Sequence, residues 1–381
     1  MKLLEIKNIY KSFSNKMVLN GINLDIENGE ISSIFGYSGE GKSTLLKIIC
    51  GIVKQDGGDI MLNGKNINNL EPYERHTVLV MDEPLLFPHI NVLENIAFGL
   101  KLSSNKKRYL SHDKRVLKSA KEIMELLGIT GLEKRYPNEI SMGQAQRVSL
   151  ARALIVNPEI ILMDEPFSNL DIISKTKVRR LIKEINNEFK ISMLLVTHDI
   201  EDVLNLSNKM FILNNGRVQD SGQPKDVLKK PSSMDIAFLL GTENIFDGII
   251  SEIDEKNNLI KIKLLNGKQV NRYVEADFQG NFEINEPVFF VIRPEEIIIL
   301  REDRQASKSV RENHFSGAIN SAVFTSRMME ILIDSENVFR FKVLMPFHAF
   351  EVMNLFEGKA VNISLKKSAI HIIKKKKPVR T

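Results

Sequence analysis

The hydrophobic pattern of the chain changes character once. Up to about Ser233, short continuous apolar runs alternate with longer segments of helical spacing. Ile31-Ser-Ser-Ile-Phe35, Ile160-Ile-Leu-Met163 and Ser192-Met-Leu-Leu-Val-Thr197 have the pattern of strands buried on both faces. A glycine-rich loop follows the first of them, and Thr44-Leu-Leu-Lys-Ile-Ile49 then reads as helix. Strand, loop and helix in repetition predict an α/β layer fold, with its chemistry at the carboxyl ends of the strands. From about Leu100 to Leu127 strand patterning lapses, which predicts an inserted helical subdomain.

After Pro231 short alternating strands take over, as in Leu259-Ile-Lys-Ile-Lys-Leu264 and Val338-Phe-Arg-Phe-Lys-Val343. Asn244-Ile-Phe-Asp-Gly-Ile-Ile250 recurs 69 residues later as Asn313-His-Phe-Ser-Gly-Ala-Ile319. Val288–Leu300 recurs more loosely 73 residues later, as Val361–Ile373. Two matches at nearly one offset predict tandem copies of a small β unit. The expected division is an α/β domain over 1–235 and an all-β domain over 240–381, with repeats at about 243–300 and 312–373.

Composition narrows the class only a little. At 43% hydrophobic and 27% charged, the 381 residues suit a globular protein of two or three domains. No run approaches the ~18 apolar residues of a membrane span, and Met1-Lys-Leu-Leu-Glu-Ile-Lys does not read as a signal peptide. One cysteine, Cys50, excludes a disulfide framework and a cysteine-based zinc site. The net charge is +5, and the basic clusters Lys106–Arg108 and Lys374–Lys377 lack interleaved aromatics. Nucleic acid is therefore not an expected partner.

The chemistry begins at Gly36-Tyr37-Ser38-Gly39-Glu40-Gly41-Lys42-Ser43, which fits the phosphate-loop pattern between a strand and a helix. Its glycines let backbone amides turn inward around phosphate oxygens. Lys42 is expected on the β- and γ-phosphates and Ser43 on Mg²⁺, with the following helix aiming its positive end at the anion. The run Ile160–Met163 ends in Asp164-Glu165-Pro166, placing one carboxylate for the metal and a second to polarise water. Ser141 and Gln144 have capping-box spacing at the start of a helix. That serine- and glycine-containing helix start is also a second potential phosphate site. His198 follows the strand that ends at Thr197, within reach of a γ-phosphate.

At these residues the chain resembles the ATP-binding subunits of ABC transporters. The resemblance rests on the loop through Thr44, the signature Ser141-Met-Gly143-Gln144-Ala-Gln-Arg147, Asp164-Glu165, the D-loop Ser168-Asn-Leu-Asp171, and Thr197-His198-Asp199. It covers residues 1 to about 235. It implies that Phe13 stacks on adenine and that His198 acts as the switch histidine. It further implies a head-to-tail homodimer, with ATP and Mg²⁺ held between one subunit's loop and the other's Ser141, Gly143 and Gln144. Permease subunits and, indirectly, an extracytoplasmic solute-binding protein are the implied partners. The implied location is peripheral, on the cytoplasmic face of the membrane.

Two positions depart from the family pattern. Asp82 stands where glutamine is usual, on a loop that the resemblance places against the membrane partner, and could still reach the metal. Met142 replaces the first glycine of the signature, adding a Cβ to the phosphate approach. The second half resembles the oligonucleotide-fold-like domains of importer ATPases, closest to the molybdate and tungstate group, with Lys366, Lys367 and Ser368 as candidate oxyanion ligands. Polyamine, sugar, sulfate and ferric-iron importers carry related domains. A ribosome- or DNA-acting ABC protein and a regulatory cassette with weak turnover are the alternatives.

Overall fold

A computed structural model describes residues 1–103, 114–265, 272–301, 313–325, 328–336 and 338–375. Lys106–Arg108 and Lys376–Lys377 of the features above lie outside them. The chain forms two compact units, Met1–Lys225 and Asp226–Thr381.

In the first unit, β1 (Lys2–Phe13) and β2 (Lys16–Glu27) form a hairpin closed by Ser14 and Asn15. Both turn residues have positive φ, the geometry that matches strand twist across a two-residue turn. The buried strand β3 (Ile31–Phe35) leads through the glycine loop into α1 (Lys42–Ile49). Then β4 (Gly57–Leu62) and β5 (Lys65–Asn66) complete an antiparallel sheet in the order β2-β1-β4-β5. Strand β6 (Thr77–Val80) precedes the helices α2 (Val92–Ser103), α3 (Lys114–Leu126) and α4 (Met142–Leu154), of which α2 and α3 occupy the stretch expected to be helical. Next come β7 (Ile160–Asp164), α5 (Ile172–Phe189), β8 (Ser192–Thr197), α6 (Ile200–Leu206), β9 (Lys209–Asn214) and β10 (Arg217–Gly222).

The central sheet runs β10-β9-β3-β8-β7-β6, parallel throughout except for β10. Alternate residues of one strand feed two cores, which is why the apolar runs are continuous. Ile160, Leu162, Leu194 and Val196 pack with α1 and the antiparallel sheet. Ile161, Met163, Met193 and Leu195 pack with the helices on the other side. Because the strands are parallel, Phe35, Val80, Asp164 and Thr197 all end at one edge. Every residue singled out after a strand therefore emerges on that edge.

The second unit starts inside α7 (Pro224–Lys229) and includes α8 (Met234–Leu239), whose buried Ala237 packs on Val291 and Ile373. The two helices move the boundary ahead of the change in sequence texture. Strands β11 (Asn244–Asp254), β12 (Leu259–Leu264), β13 (Tyr273–Asp277), β14 (Pro287–Ile292) and β15 (Ile297–Ile299) form the first repeat. The second comprises β16 (His314–Thr325), β17 (Met328–Ser335), β18 (Phe339–Pro346), α9 (Phe347–Val352), β19 (Ala360–Leu365) and β20 (His371–Lys374). The repeats exchange their last strands. The sheets are β13-β12-β11-β14-β20 and β15-β19-β16-β17-β18, and one apolar core takes residues from both repeats.

Candidate nucleotide site

The glycines, Glu40 and Lys42 of the phosphate loop are each held by a local necessity. A methyl group on Gly36 would lie 2.3 Å from the Leu213 carbonyl oxygen. Gly39 and Gly41 have φ of +90° and +96°, which side-chain-bearing residues resist. The buried Lys42 donates from Nζ to the carbonyl oxygens of Gly36 and Tyr37, both at 2.8 Å. Burial lowers the Lys42 pKa, against the opposing pull of Glu165, Asp164 and Glu40. Glu40 itself accepts from the Gly216 amide at 3.3 Å, pinning the loop's outer side. Ser38, Gly39, Lys42, Ser43, Thr44 and Glu165 line a cavity of about 390 Å³, completed by Gly41 and Val18. Val18 was not legible as a site residue, since nothing in its local sequence distinguishes it from β2 core.

Across the cavity Ser43 Oγ donates to Asp164 Oδ1 at 2.8 Å. Burial raises the Asp164 pKa; Ser43 lowers it, and the Asp82 charge raises it further. The next residue, Glu165, has φ of +46°, the left-handed region where non-glycine residues are rare. Its amide bonds the Val196 carbonyl at 3.0 Å, and its Oε1 lies 2.8 Å from His198 Nδ1. Backbone strain here accompanies an aimed functional group.

His198 is held from behind. Thr197 Oγ1 donates to Asp202 at 2.9 Å and accepts from the Asp199 amide at 3.0 Å. Lys175 of α5 pairs with Asp199, and Arg179 pairs with Asp202. Burial opposes ionisation of Asp199, yet Lys175, the Glu201 amide and Arg179 together hold its pKa low. Asp171 caps α5 by accepting from the Ile173 and Ser174 amides, and Ser168 Oγ donates to the Glu165 carbonyl at 3.0 Å. The D-loop is thereby tied to the glutamate at one end and to α5 at the other. Neither Lys175 nor Arg179 stood out in the sequence, because helical i, i+4 charges usually mark a solvated face.

The Asp82 loop is gripped by side chains that pattern reading also missed. The fully buried Asn95 accepts from the Phe87 amide at 2.8 Å and donates to the Phe87 carbonyl at 3.1 Å. From α4, Arg152 donates to the Leu85 carbonyl at 2.7 Å and Gln146 to the Met81 carbonyl at 3.4 Å. A buried asparagine on a helix just after a Pro-containing loop is the one signal that could have been used.

The signature residues lie apart. Ser141 Oγ accepts from the Gln144 amide at 3.3 Å, and Gln144 Oε1 accepts from the Ser141 amide at 2.8 Å, completing the capping box. Met142 is half exposed, and Gly143 lies close against Ser174, whose Oγ is 3.3 Å from where a methyl would stand. Among the described residues, the cavity wall contains none of Phe13, Asp82, Ser141, Gly143 or Gln144. Phe13 sits at the exposed hairpin end with the Lys11 ammonium 5.2 Å from its ring centre. Tyr37 is exposed beside the loop.

The donor set suits magnesium. Magnesium demands oxygen ligands near 2.0–2.1 Å and keeps several waters and phosphate oxygens. A hydroxyl and a carboxylate 2.8 Å apart can serve as adjacent ligands of such an octahedron. No group of three or more histidine, cysteine or acidic residues placed to hold a metal ion occurs among the described residues.

A parallel sheet carrying a phosphate loop, with a carboxylate pair and a histidine at one edge, defines a P-loop nucleotide-binding cassette. Residues 19–168 match the ABC transporter family. The chain is similar to the spermidine/putrescine import ATP-binding protein PotA of Clostridioides difficile, 34% identical over 373 residues and 98% of each chain. It is also similar to the molybdate/tungstate import ATP-binding protein WtpC of Pyrococcus horikoshii, 34% identical over 97% of this chain and 99% of that one. Among solved structures, an ABC-transporter cassette in its ADP conformation has a TM-score of 0.56 at 29% identity, covering 62% of this chain and 99% of that one. A dimeric post-hydrolysis cassette bound to ADP and Pi has a TM-score of 0.52 at 30% identity, covering 58% and 99%. The chain belongs to the ATP-binding import proteins of the ABC transporter family, ATPases coupled to import.

Proposed function

We propose that Glu165 is the general base of ATP hydrolysis and that two copies of the chain close head to tail around the nucleotide. The observation that carries this reading is the Glu165–His198 contact of 2.8 Å beside a cavity lined by Lys42 and Ser43. Lys42 is drawn back to two loop carbonyls and can exchange them for phosphate oxygens without changing its charge. Ser43 and Asp164, with Asp82 nearby, are the residues that would hold Mg²⁺, which when bound neutralises phosphate charge. Glu165 takes the proton of the attacking water, and His198 fixes the carboxylate's direction. The exposed start of α4 supports the dimer, since the positive end of a helix suits a phosphate on another copy.

For the solute we propose a polyamine, carried through separate permease subunits at the cytoplasmic face of the membrane. Relatives named for spermidine and putrescine import match nearly the full chain. The oxyanion reading keeps one relative of equal identity, but its candidate Lys367 pairs with Glu275 at 2.7 Å, so its charge is already balanced.

The test is hydrolysis by the chain assembled with its permease. Glu165→Gln should lose turnover by about 10²–10⁴-fold while still binding ATP. Parent-rate hydrolysis by that variant would sink the assignment. Stimulation of the parent by molybdate in place of spermidine would overturn the polyamine reading alone.

A further inference from the structure

We infer that Arg75 is a positioning residue for hydrolysis, locking the far ends of α1 and β6 together so that Ser43 and Asp82 keep one spacing at their near ends. The residue is 4% exposed. Nη1 donates to the carbonyl oxygens of Ile48 at 2.9 Å and Ile49 at 3.0 Å, the last two residues of α1. Nη2 donates to Asn68 at 3.1 Å and Nε to Leu70 at 3.0 Å. Every partner is a backbone carbonyl, and among the described residues no ion pair is made to it.

Helix termini leave carbonyls without partners, and here the accounting is explicit. Gly51, with φ of +80°, lets its amide bond Ile48 at 3.0 Å while the Ile52 amide bonds Lys47 at 2.9 Å, a Schellman ending. The Ile49 carbonyl is satisfied by Arg75. The glycine is also the space for the clamp, since a methyl at Gly51 would fall 2.6 Å from Arg75 Nε. A cation at this end opposes the negative pole of the helix dipole. Thr77, the first residue of β6, adds a second tie through its hydroxyl to Cys50 Sγ at 3.7 Å.

The consequence follows from direction. Helix α1 begins with Lys42 and Ser43 and ends at the clamp. Strand β6 begins two residues after Arg75, and the chain reaches Asp82 two residues beyond its end. Joining the far ends removes the freedom of either element to slide along the other. Displacements of about 1 Å at a reacting centre cost about 10²-fold in rate. Arg75 thus acts through Ser43 and Asp82 and touches no reacting atom.

This inference rests on the site reading above, and its test separates the two. Single-turnover ATP hydrolysis and nucleotide affinity are measured on the full-length chain for Arg75→Lys and Arg75→Gln. Ile49→Val and Ile49→Ala serve as controls, perturbing the same helix end without the clamp and bracketing the loss of thermal stability. We expect Arg75→Gln to lower the hydrolysis step by about 10–100-fold with ATP affinity within about threefold. Arg75→Lys should recover part of the rate, and stability-matched Ile49 variants should hydrolyse near the parent rate. A rate loss no greater than in matched Ile49 variants, or a loss confined to affinity, would overturn the inference. Full activity in Glu165→Gln would instead overturn the site reading on which it rests.

Discussion

At the scale of single residues, Asp164 illustrates how the site trades stability for chemistry. The residue is 6% exposed. Burial raises its pKa, and the Asp82 charge adds to the rise that the Ser43 bond opposes. A raised carboxyl pKa means that the folded state resists ionisation more than the unfolded chain does. The cost is absent below the unfolded value, grows as pH rises from the unfolded value to the folded one, and is fully present above the folded value. Asp164→Asn should therefore raise the thermal midpoint of the metal-free protein at pH 7, and the gain should shrink as pH falls into the acid carboxylate range. The same substitution should lose magnesium-dependent hydrolysis. Melting curves with and without Mg²⁺ at several pH values check both signs. A lower midpoint at neutral pH would mean that Asp164 is worth more as an acceptor for Ser43 than it costs as a buried charge.

Among the elements, α4 carries two loads that the sequence revealed unequally. Its N-terminal box was readable from Ser141 and Gln144 alone, because a cap is local chemistry at fixed spacing. Its hold on the Asp82 loop was not, because Gln146 and Arg152 grip backbone carbonyls 65 and 67 positions earlier in the chain. Strands β3, β7 and β8 of the central sheet were legible for the same local reason as the cap: burial on both faces leaves a continuous apolar run. Val18 and the Lys175–Asp199 pair were illegible because their meaning depends on which elements meet in space. The two jobs of α4 predict separable effects. Ser141→Ala removes a cap worth about 0.5–2 kcal/mol, and should slow hydrolysis through the proposed second-copy contact. Arg152→Met leaves that cap intact but frees the Leu85 carbonyl, so it should weaken the response to the permease more than basal hydrolysis. Comparing basal and permease-stimulated rates in the two variants checks the separation, and equal losses of stimulation in both would contradict it.

Over the whole molecule, the internal repeat explains more than its sequence match suggested. The recurring Asn-x-Phe-x-Gly has a structural reason at each fixed position. Asn244 clamps the Lys342 backbone, accepting from its amide at 2.7 Å and donating to its carbonyl at 2.8 Å. Asn313 does the same to Glu275, at 2.7 and 2.8 Å, so each repeat grips a strand of the other. Phe246 and Phe315 both stack into the aromatic group around Phe341, with ring centres 5.0 Å away in each case. Added methyls at Gly248 and Gly317 would come within 2.3 and 2.5 Å of the neighbouring strand. With β15 and β20 also exchanged between sheets, neither repeat closes its own sheet or core. We therefore expect residues 226–381, expressed alone, to unfold in one cooperative transition, and either repeat alone to remain unfolded. Asn244→Ala and Asn313→Ala each leave a partly buried backbone amide and carbonyl short of a partner, at up to about 1–3 kcal/mol per unsatisfied group. Each should lower the single midpoint of the fragment without splitting it. Two separate transitions in either variant would show that the repeats are independent domains joined by chance of sequence, and that the exchanged strands contribute little to holding them together.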